Sequence, residues 1–147
     1  MWVDRQGRVS PPLPNIPPDR YRDVRISPDG GRLALATEAD VFTYDVVRAT
    51  LGRLTTDPAS DRSPIWTSDS QRIIFRSQRA RYPELFRRPA DGAGRDEQLL
   101  ARKDLVDLYP NSWSADGTQL LFTEAPSPGR CAIGQMAIER PSDWNVL

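Results

Sequence analysis

Histidine is absent from this sequence of 147 residues, and cysteine and lysine each occur once. Without histidine, the chain cannot supply a Ser-His-Asp or Cys-His nucleophile system, an HExxH zinc site or an imidazole switch. The single cysteine, Cys131, excludes an intramolecular disulfide and cannot complete a tetrahedral metal site alone. We therefore expect no catalytic residues of these classes, no metal and no cofactor.

Long apolar runs are also missing, since no stretch approaches the roughly 18 apolar residues of a membrane helix. Twenty basic and twenty acidic residues cancel, so there is no overall electrostatic reason to expect nucleic acid or an anionic membrane as a partner. Residues 1–8 lack the basic start and apolar stretch of a secretory signal, and we expect none. The compartment stays open.

A turn motif occurs three times in the chain. The copies are Ser27-Pro28-Asp29-Gly30, Thr67-Ser68-Asp69-Ser70 and Ser114-Ala115-Asp116-Gly117. Their aspartates are separated by 40 and 47 positions, which is the blade length of a β-propeller. Each copy joins two short apolar strands and suits a type I turn followed by a glycine with positive φ. Ser70 stands where glycine is preferred, which predicts mild backbone strain there.

Helix signals are nearly absent, because the 14 prolines are spread along the chain and no long stretch keeps a 3.6-residue apolar period. The sequence therefore predicts an all-β fold of four-stranded antiparallel propeller blades. Weaker strand candidates follow each hairpin at 41–45, 51–55, 84–88 and 98–100, with 133–138 and a poor candidate at 144–147 in the last unit. The predicted divisions are an outer strand pair at 1–18 and blades at 20–56, 60–101 and 108–147, the last with an irregular end.

The three turns and their flanking strands resemble the WD-like propeller repeat of TolB and its relatives, strongly over residues 20 to 123. The segment Trp2-Val3-Asp4-Arg5-Gln6-Gly7-Arg8 is most similar to bacterial propellers of the kinase-associated kind. The resemblance implies a β-propeller, usually of six blades, that binds proteins or peptides and is often periplasmic or extracytoplasmic. Relatives also gate prolyl-oligopeptidase-like enzymes, but this sequence has no kinase or hydrolase domain that would carry such an activity.

About three blades form an open arc, which leaves sheet edges and apolar flanks uncovered. We therefore expect a homodimer in which two copies form a six-bladed ring. In this hypothesis, the amino-terminal strands of one chain, Trp2-Val3-Asp4 and 9–13, complete the irregular third blade of the other by strand exchange.

The segments that enter the innermost strands are expected to lie at the mouth of the central channel. They supply the candidate ligand-binding rim, which is formed by Tyr21, Arg22, Asp23, Asp61, Arg62, Tyr109 and Asn111. Structural ion pairing between blades is the alternative role for the charged members. The leading functional hypothesis is a non-enzymatic protein- or peptide-binding module. The alternatives are a propeller hydrolase or lyase with an Arg/Tyr/Asp site, and a propeller fragment whose only inherent property is assembly.

Three further features have a structural and a functional interpretation. The repeated turn aspartates are better explained by hydrogen bonds to local backbone than as calcium ligands, because each turn offers one carboxylate. Trp66 and Trp113 are expected to fill the wedge between blades rather than to stack on a ligand. The arginine-rich run 76–82, followed by Arg87 and Arg88, is interpreted as a solvated loop, with phosphate or acidic-peptide contact as the alternative.

Overall fold

Three four-stranded sheets make up the computed structural model, which describes residues 3–147 and contains no helix in that range. Blade 1 consists of β1 (Asp23–Ile26), β2 (Arg32–Ala36), β3 (Val41–Asp45) and β4 (Thr50–Arg53). Blade 2 consists of β5 (Asp61–Trp66), β6 (Arg72–Ser77), β7 (Glu84–Pro89) and β8 (Glu97–Ala101). Blade 3 consists of β9 (Asp107–Trp113), β10 (Gln119–Ser127), β11 (Arg130–Ala137) and β12 (Arg140–Val146). Each sheet is an antiparallel meander in chain order, which confirms the predicted all-β fold.

The three turns between the first and second strands of the blades share one backbone conformation. Gly30, Ser70 and Gly117 all have positive φ, at 73°, 60° and 70°. In each turn, the N–H of this residue donates to the carbonyl oxygen three positions earlier, at 2.8 to 2.9 Å. The left-handed conformation that glycine adopts freely is therefore imposed on Ser70, as predicted from the sequence.

A side-chain network inside each turn is also repeated. The hydroxyl of Ser27 donates to Asp29 Oδ1 at 2.5 Å, and the same Oδ1 accepts the backbone N–H of Gly31 at 2.9 Å. Equivalent pairs of bonds are made by Asp69 and Asp116. The carboxylates thus hold their own turns together. No group of three or more His, Cys, Asp or Glu side chains within residues 3–147 is arranged to hold a metal ion.

Apolar cores lie between successive blades. In the first core, Ala34 and Ala36 of blade 1 pack with Trp66 and Phe75 of blade 2. Trp66 is almost fully buried, and its indole N–H donates to the carbonyl oxygen of Arg25 at 3.0 Å. In the second core, Leu108, Leu120, Phe122 and Met136 of blade 3 pack against blade 2. Trp113 donates to the carbonyl oxygen of Trp66 at 2.6 Å, so the two tryptophans link neighbouring blades as expected.

The third blade has four strands of its own, and each of its three strand pairings contains a register shift. Its outermost strand, β12, is paired with β11, and Trp144 packs against the core between blades 2 and 3. Gly134 opposes Phe122 across the sheet, and a Cβ at Gly134 would lie 2.3 Å from the phenylalanine ring. The sequence predicted strand candidates at 133–138 and 144–147, but neither the packing of Trp144 nor the contact of Gly134 with Phe122 follows from a local pattern, because both depend on strand pairing.

The predicted amino-terminal strand pair is reduced to a short hairpin in the described residues, with a single β-bridge between Val3 and Val9. Trp2, which the hypothesis placed in the first of these strands, lies outside the described residues. Asp4 closes the hairpin by accepting the N–H of Arg8 at 2.8 Å, much as Asp45 accepts the N–H of Arg48 at 2.7 Å between β3 and β4. The two turns differ in length, but in each an aspartate at the start of the turn accepts a backbone N–H from the other side.

Residues 10–22 run across the face of blade 1 that points away from blade 2. Leu13 and Ile16 pack there against a cluster that contains Leu33, Leu35 and Tyr44. The fully buried Tyr44 donates its hydroxyl hydrogen to the carbonyl oxygen of Pro14 at 2.9 Å. Within residues 3–147, no helix is long and apolar enough to cross a membrane.

Candidate functional site

A polar cleft of about 380 Å³ opens where the innermost strands of the three blades converge. It is lined by Arg22, Asp23, Glu38, Arg62, Ser63, Arg76, Asp107 and Tyr109. Three guanidinium groups thus face three carboxylates, and all three blades contribute to the wall. The predicted channel rim is expected to line this cleft.

Equivalent positions of the three blades supply the cleft with Arg22, Arg62 and Tyr109, each four residues before the last residue of its inner strand. The residue before each of them points elsewhere, because side chains alternate across a strand. Asp61 and Leu108 are accordingly fully buried. The internal repeat therefore brings the side chains of one position in each blade to a common opening.

Glu38 joins two of these arginines. One carboxylate oxygen forms a short ion pair with Nη2 of Arg22, and the other lies 3.2 Å from Nη1 of Arg62. The backbone on either side is fixed, since Ser60 donates its hydroxyl hydrogen to the carbonyl oxygen of Glu38 at 2.7 Å and accepts Nε–H of Arg62 at 2.8 Å. A carboxylate is thus held between two half-exposed guanidinium groups.

A second group of charges forms the deeper wall. Nε of Arg76 lies 2.7 Å from Asp107 Oδ1, and Tyr109 donates a short hydrogen bond to the other carboxylate oxygen. The guanidinium carbon of Arg76 lies 5.6 Å from the centroid of the Tyr109 ring. Burial, followed by the hydrogen bond to the Asp107 carboxylate, raises the pKa of Tyr109. The phenol is therefore a neutral hydrogen-bond donor at physiological pH.

The strand backbone is irregular at the cleft. The register of β5 shifts between Arg62 and Ile65, and Ser63 within this bulge has a φ of 51°. Pro64 has no N–H for the ladder, which favours an interruption there. Bulges re-aim side chains, and left-handed non-glycine residues concentrate at functional sites. The local strain at Ser63 is thus consistent with a binding surface at this position.

Three of the predicted rim residues lie away from the cleft. Tyr21 packs with the apolar cluster on blade 1, and its hydroxyl donates to the carbonyl oxygen of Pro17 at 3.1 Å. Asp61 is fully buried, which raises the pKa of its carboxyl group. Asn111 lies in the bulge of β9 and donates to Thr123 Oγ1 at 2.7 Å. The cleft itself contains Arg22, Asp23, Arg62 and Tyr109 of the predicted set.

The interpretation of the arginine-rich run as a solvated loop is wrong for most of its arginines. Arg79 lies among three carboxylates, with Nη1 2.6 Å from Asp96 and Nη2 3.3 Å from the buried Asp61. Its guanidinium carbon is 4.3 Å from the centroid of the Phe86 ring. Arg76 lines the cleft, whereas Arg87 and Arg88 pair with Glu97 and Asp96, respectively. Ion pairing across the strand ends of blade 2 draws these side chains inward.

The predicted rim did not include four of the lining residues, Glu38, Ser63, Arg76 and Asp107. Arg76 comes from β6, which pairs with the inner strand β5, and Glu38 comes from the segment that follows β2, so neither belongs to an inner strand. The register that the turn at Asp69 sets would place Ser77 opposite Arg62, and the bulge between Arg62 and Ile65 brings Arg76 there instead. The sequence alone gives no register for this bulge, so it could not identify Arg76 as the cross-strand partner of Arg62.

Comparison with known proteins finds sequence relatives and solved structures of the same fold. No family model matches the chain. The Tol-Pal system protein TolB of Wolinella succinogenes is 35% identical over 106 residues, which cover 69% of this chain and 24% of that protein. The chain therefore spans about a quarter of the length of this curated relative.

Solved TolB structures share the fold of this chain. A putative TolB from Agrobacterium tumefaciens superimposes with a TM-score of 0.74 and 18% identity, over 91% of this chain and 50% of that one. TolB from Acinetobacter baumannii gives a TM-score of 0.67 and 17% identity, over 82% of this chain and 30% of that one.

The successive four-stranded meanders, with their inner strands at a common polar cleft, define a set of β-propeller blades. Within that class, the sequence and fold relatives agree on one type. The chain carries TolB-like β-propeller blades.

Proposed function

We propose that this chain is a non-enzymatic propeller module that binds a protein or peptide in the cleft between its innermost strands. The observation that carries the proposal is the convergence of Arg22, Arg62 and Tyr109, from equivalent positions of three blades, on one opening. The absence of histidine from the sequence supports binding rather than acid-base catalysis. The name of the curated relative, a protein of the Tol-Pal system, is consistent with a role in a protein assembly.

A peptide-display experiment tests the binding proposal. A phage library of random dodecapeptides would be selected on the immobilised chain, and enriched peptides would be measured against the Arg22→Ala/Arg62→Ala variant. We expect those peptides to lose at least tenfold in affinity. Arg48→Ala is the matched control, because Arg48 is highly exposed on the outer turn of blade 1. Enriched peptides that bind the double variant and the wild type equally would contradict the proposal.

The faces at the two ends of the blade series are only partly covered, since Leu13 and Ile16 pack on part of the blade 1 face, and this supports self-assembly of the module. Val24 and Ile26 of blade 1 are 53% and 52% exposed, whereas Trp66, the counterpart of Ile26 in blade 2, is buried against the preceding blade. At the other end, Ile133 of blade 3 is 44% exposed. Faces of these two types already pack together twice within the chain, between blades 1 and 2 and between blades 2 and 3.

We therefore propose a homodimeric ring in which blade 3 of each copy packs on blade 1 of the other. The chain superimposes on half of the putative TolB structure, which supports a ring that is made of two copies of the chain. Exchange of the amino-terminal hairpin between copies is the finer proposal. Because β12 already occupies the outer edge of blade 3, the exchanged hairpin would add strands beyond it.

Sedimentation velocity distinguishes these assemblies. We expect a dimer for the wild type and a monomer for Ile26→Asp, with Val47→Asp as the control because Val47 is exposed on an outer turn. A folded wild-type monomer at all concentrations would contradict the ring. Deletion of residues 1–9 should weaken the dimer if hairpins are exchanged and leave it unchanged if the faces alone hold it.

A further inference from the structure

Glu38 pairs with two arginines of the cleft, and this pairing bears on ligand binding as well as on the structure. Arg22 and Arg62 come from different blades, and the guanidinium groups of both contact the carboxylate of Glu38. The side chains of Arg22, Arg62 and Glu38 are 58%, 42% and 50% exposed. The trio is therefore open to solvent and accessible to a ligand.

The remaining charges of the cleft have other partners, and among them Asp23 Oδ1 lies 3.8 Å from Nη2 of Arg25. Arg76 pairs with Asp107 and donates to Gln78 Oε1 at 2.7 Å, while Asp107 also accepts from Tyr109. The guanidinium groups of Arg22 and Arg62 thus depend on Glu38 for their carboxylate contact. Guanidinium groups bind carboxylates with geometric preference through paired N–H donors.

We propose that Glu38 occupies the position of a ligand carboxylate, and that the cleft binds peptides through a carboxylate placed between Arg22 and Arg62. This inference rests on the proposed binding function and specifies its ligand class. Glu38 belongs to the chain segment after β2, outside the strand ladder, so its side chain can turn away without breaking a sheet. An incoming carboxylate then replaces Glu38, whose own carboxylate returns to water.

Removal of the internal carboxylate should strengthen binding. The probes are three fluorescein-labelled octapeptides: a Glu-rich peptide with an amidated carboxyl terminus, a Gln-rich peptide with a free carboxyl terminus, and a Gln-rich amidated peptide. In fluorescence anisotropy, we expect Glu38→Gln to bind a carboxylate-bearing probe at least fivefold more tightly than the wild type. The first two probes distinguish a side-chain carboxylate from a terminal one, and the third should bind weakest.

Matched variants separate this effect from a general change in charge. Glu97→Gln removes an acid that is 55% exposed and paired with Arg87 on the outer part of blade 2, and it should leave affinity unchanged. Arg62→Gln in the Glu38→Gln background should abolish the gain, and Arg62→Lys should restore part of it. Circular dichroism and melting temperature establish that each variant is folded.

The outcomes distinguish the inference from the proposed function. Equal binding of all three probes, with loss of all three in the Arg62→Gln variant, would overturn the carboxylate inference while leaving the cleft as a binding site. An unchanged affinity in Glu38→Gln would also overturn it. Failure of the display experiment above, together with no binding of any probe to any variant, would overturn both.

Discussion

The hydroxyl oxygen of Ser70 accepts the backbone N–H of Asp29 at 3.1 Å and thereby joins the inner turns of blades 1 and 2. Ser70 is buried and has a left-handed backbone, a conformation in which a side chain costs about 1–2 kcal/mol. The carbonyl oxygen of Ser70 also accepts a short hydrogen bond from Arg32 of blade 1. A residue that is unfavourable for its own turn is thus used to connect two blades.

Substitution of Ser70 should separate these two contributions. Ser70→Ala keeps the strain and loses the hydrogen bond, so it should destabilise the fold by about 1 kcal/mol. Ser70→Gly loses the same bond but relieves the strain, so it should be more stable than Ser70→Ala by about 1 kcal/mol. Urea unfolding of the three proteins measures both differences. An alanine variant as stable as the glycine variant would show that the left-handed backbone at position 70 is not strained.

The third turn allows a related comparison between two glycines. Gly30 and Gly117 have nearly the same φ, but a Cβ at Gly30 meets nothing within 4 Å, whereas one at Gly117 would lie 2.6 Å from Ser68 Oγ. Gly30→Ala should therefore cost about 1–2 kcal/mol from conformation alone. Gly117→Ala should cost about 1–3 kcal/mol more because the turn of blade 2 must move.

A double variant tests whether Ser68 is the cause. In the Ser68→Gly background, Gly117→Ala should cost no more than Gly30→Ala, because both nearby atoms of Ser68 are removed. Thermal or urea unfolding of the four proteins gives the coupling. A penalty at Gly117 that persists without the Ser68 side chain would place the obstruction elsewhere.

The sequence predicted the blades better than it predicted the cleft, for physical reasons. The turn at Asp29 is determined by local chemistry. Within five residues, the Ser27 hydroxyl and the N–H of Gly31 donate to the Asp29 carboxylate, and Gly30 adopts the positive φ of the turn. The cleft depends instead on which side chains of different strands face one another. Asp61 and Arg62 are adjacent in sequence, yet only Arg62 lines the cleft, because successive side chains point to opposite faces.

The exposure and partners of the long arginine side chains were the features that the sequence predicted least well. A run of arginines in a loop indicates solvent exposure when the nearby acids are unknown. Arg79 reaches acids from three separate segments, at Asp57, Asp61 and Asp96, and no local pattern of the sequence relates these positions to one another. The partner set is defined only after the strands are paired, so it could not be read from composition.

The buried charges around Arg79 should be strongly coupled. Arg79→Met removes the counter-charge of the buried Asp61 and one of the two arginines paired with Asp96, and it should destabilise the fold by about 3–5 kcal/mol. Arg79→Met/Asp61→Asn should be more stable than Arg79→Met, because one buried charge has gone. Arg48→Met, which removes an exposed arginine paired with Asp45, should cost less than about 1 kcal/mol. Additive effects of the two buried substitutions in urea unfolding would contradict this coupling.

The turn aspartates should make the stability of the fold depend on acid pH. Hydrogen bonds from the hydroxyls of Ser27, Thr67 and Ser114 are the largest cause that lowers the pKa of Asp29, Asp69 and Asp116, respectively, from 3.8. A carboxyl group with a lowered pKa in the folded state stabilises the fold above its unfolded pKa. This contribution is lost as pH falls through the folded value. Stability should thus decline below about pH 4.

Asp69→Asn tests that dependence at one turn. The amide can still accept the backbone N–H of Gln71, but it cannot titrate. The urea midpoint of the variant should therefore lie below that of the wild type at pH 7, and the difference should be smaller at pH 3. Asp143→Asn, at an exposed acid in β12, controls for the loss of one surface charge. Asp61 acts in the opposite direction, since burial raises its pKa and its contribution weakens as pH rises. A difference between wild type and Asp69→Asn that is the same at pH 7 and pH 3 would show that the turn carboxylate contributes no pH-dependent stability.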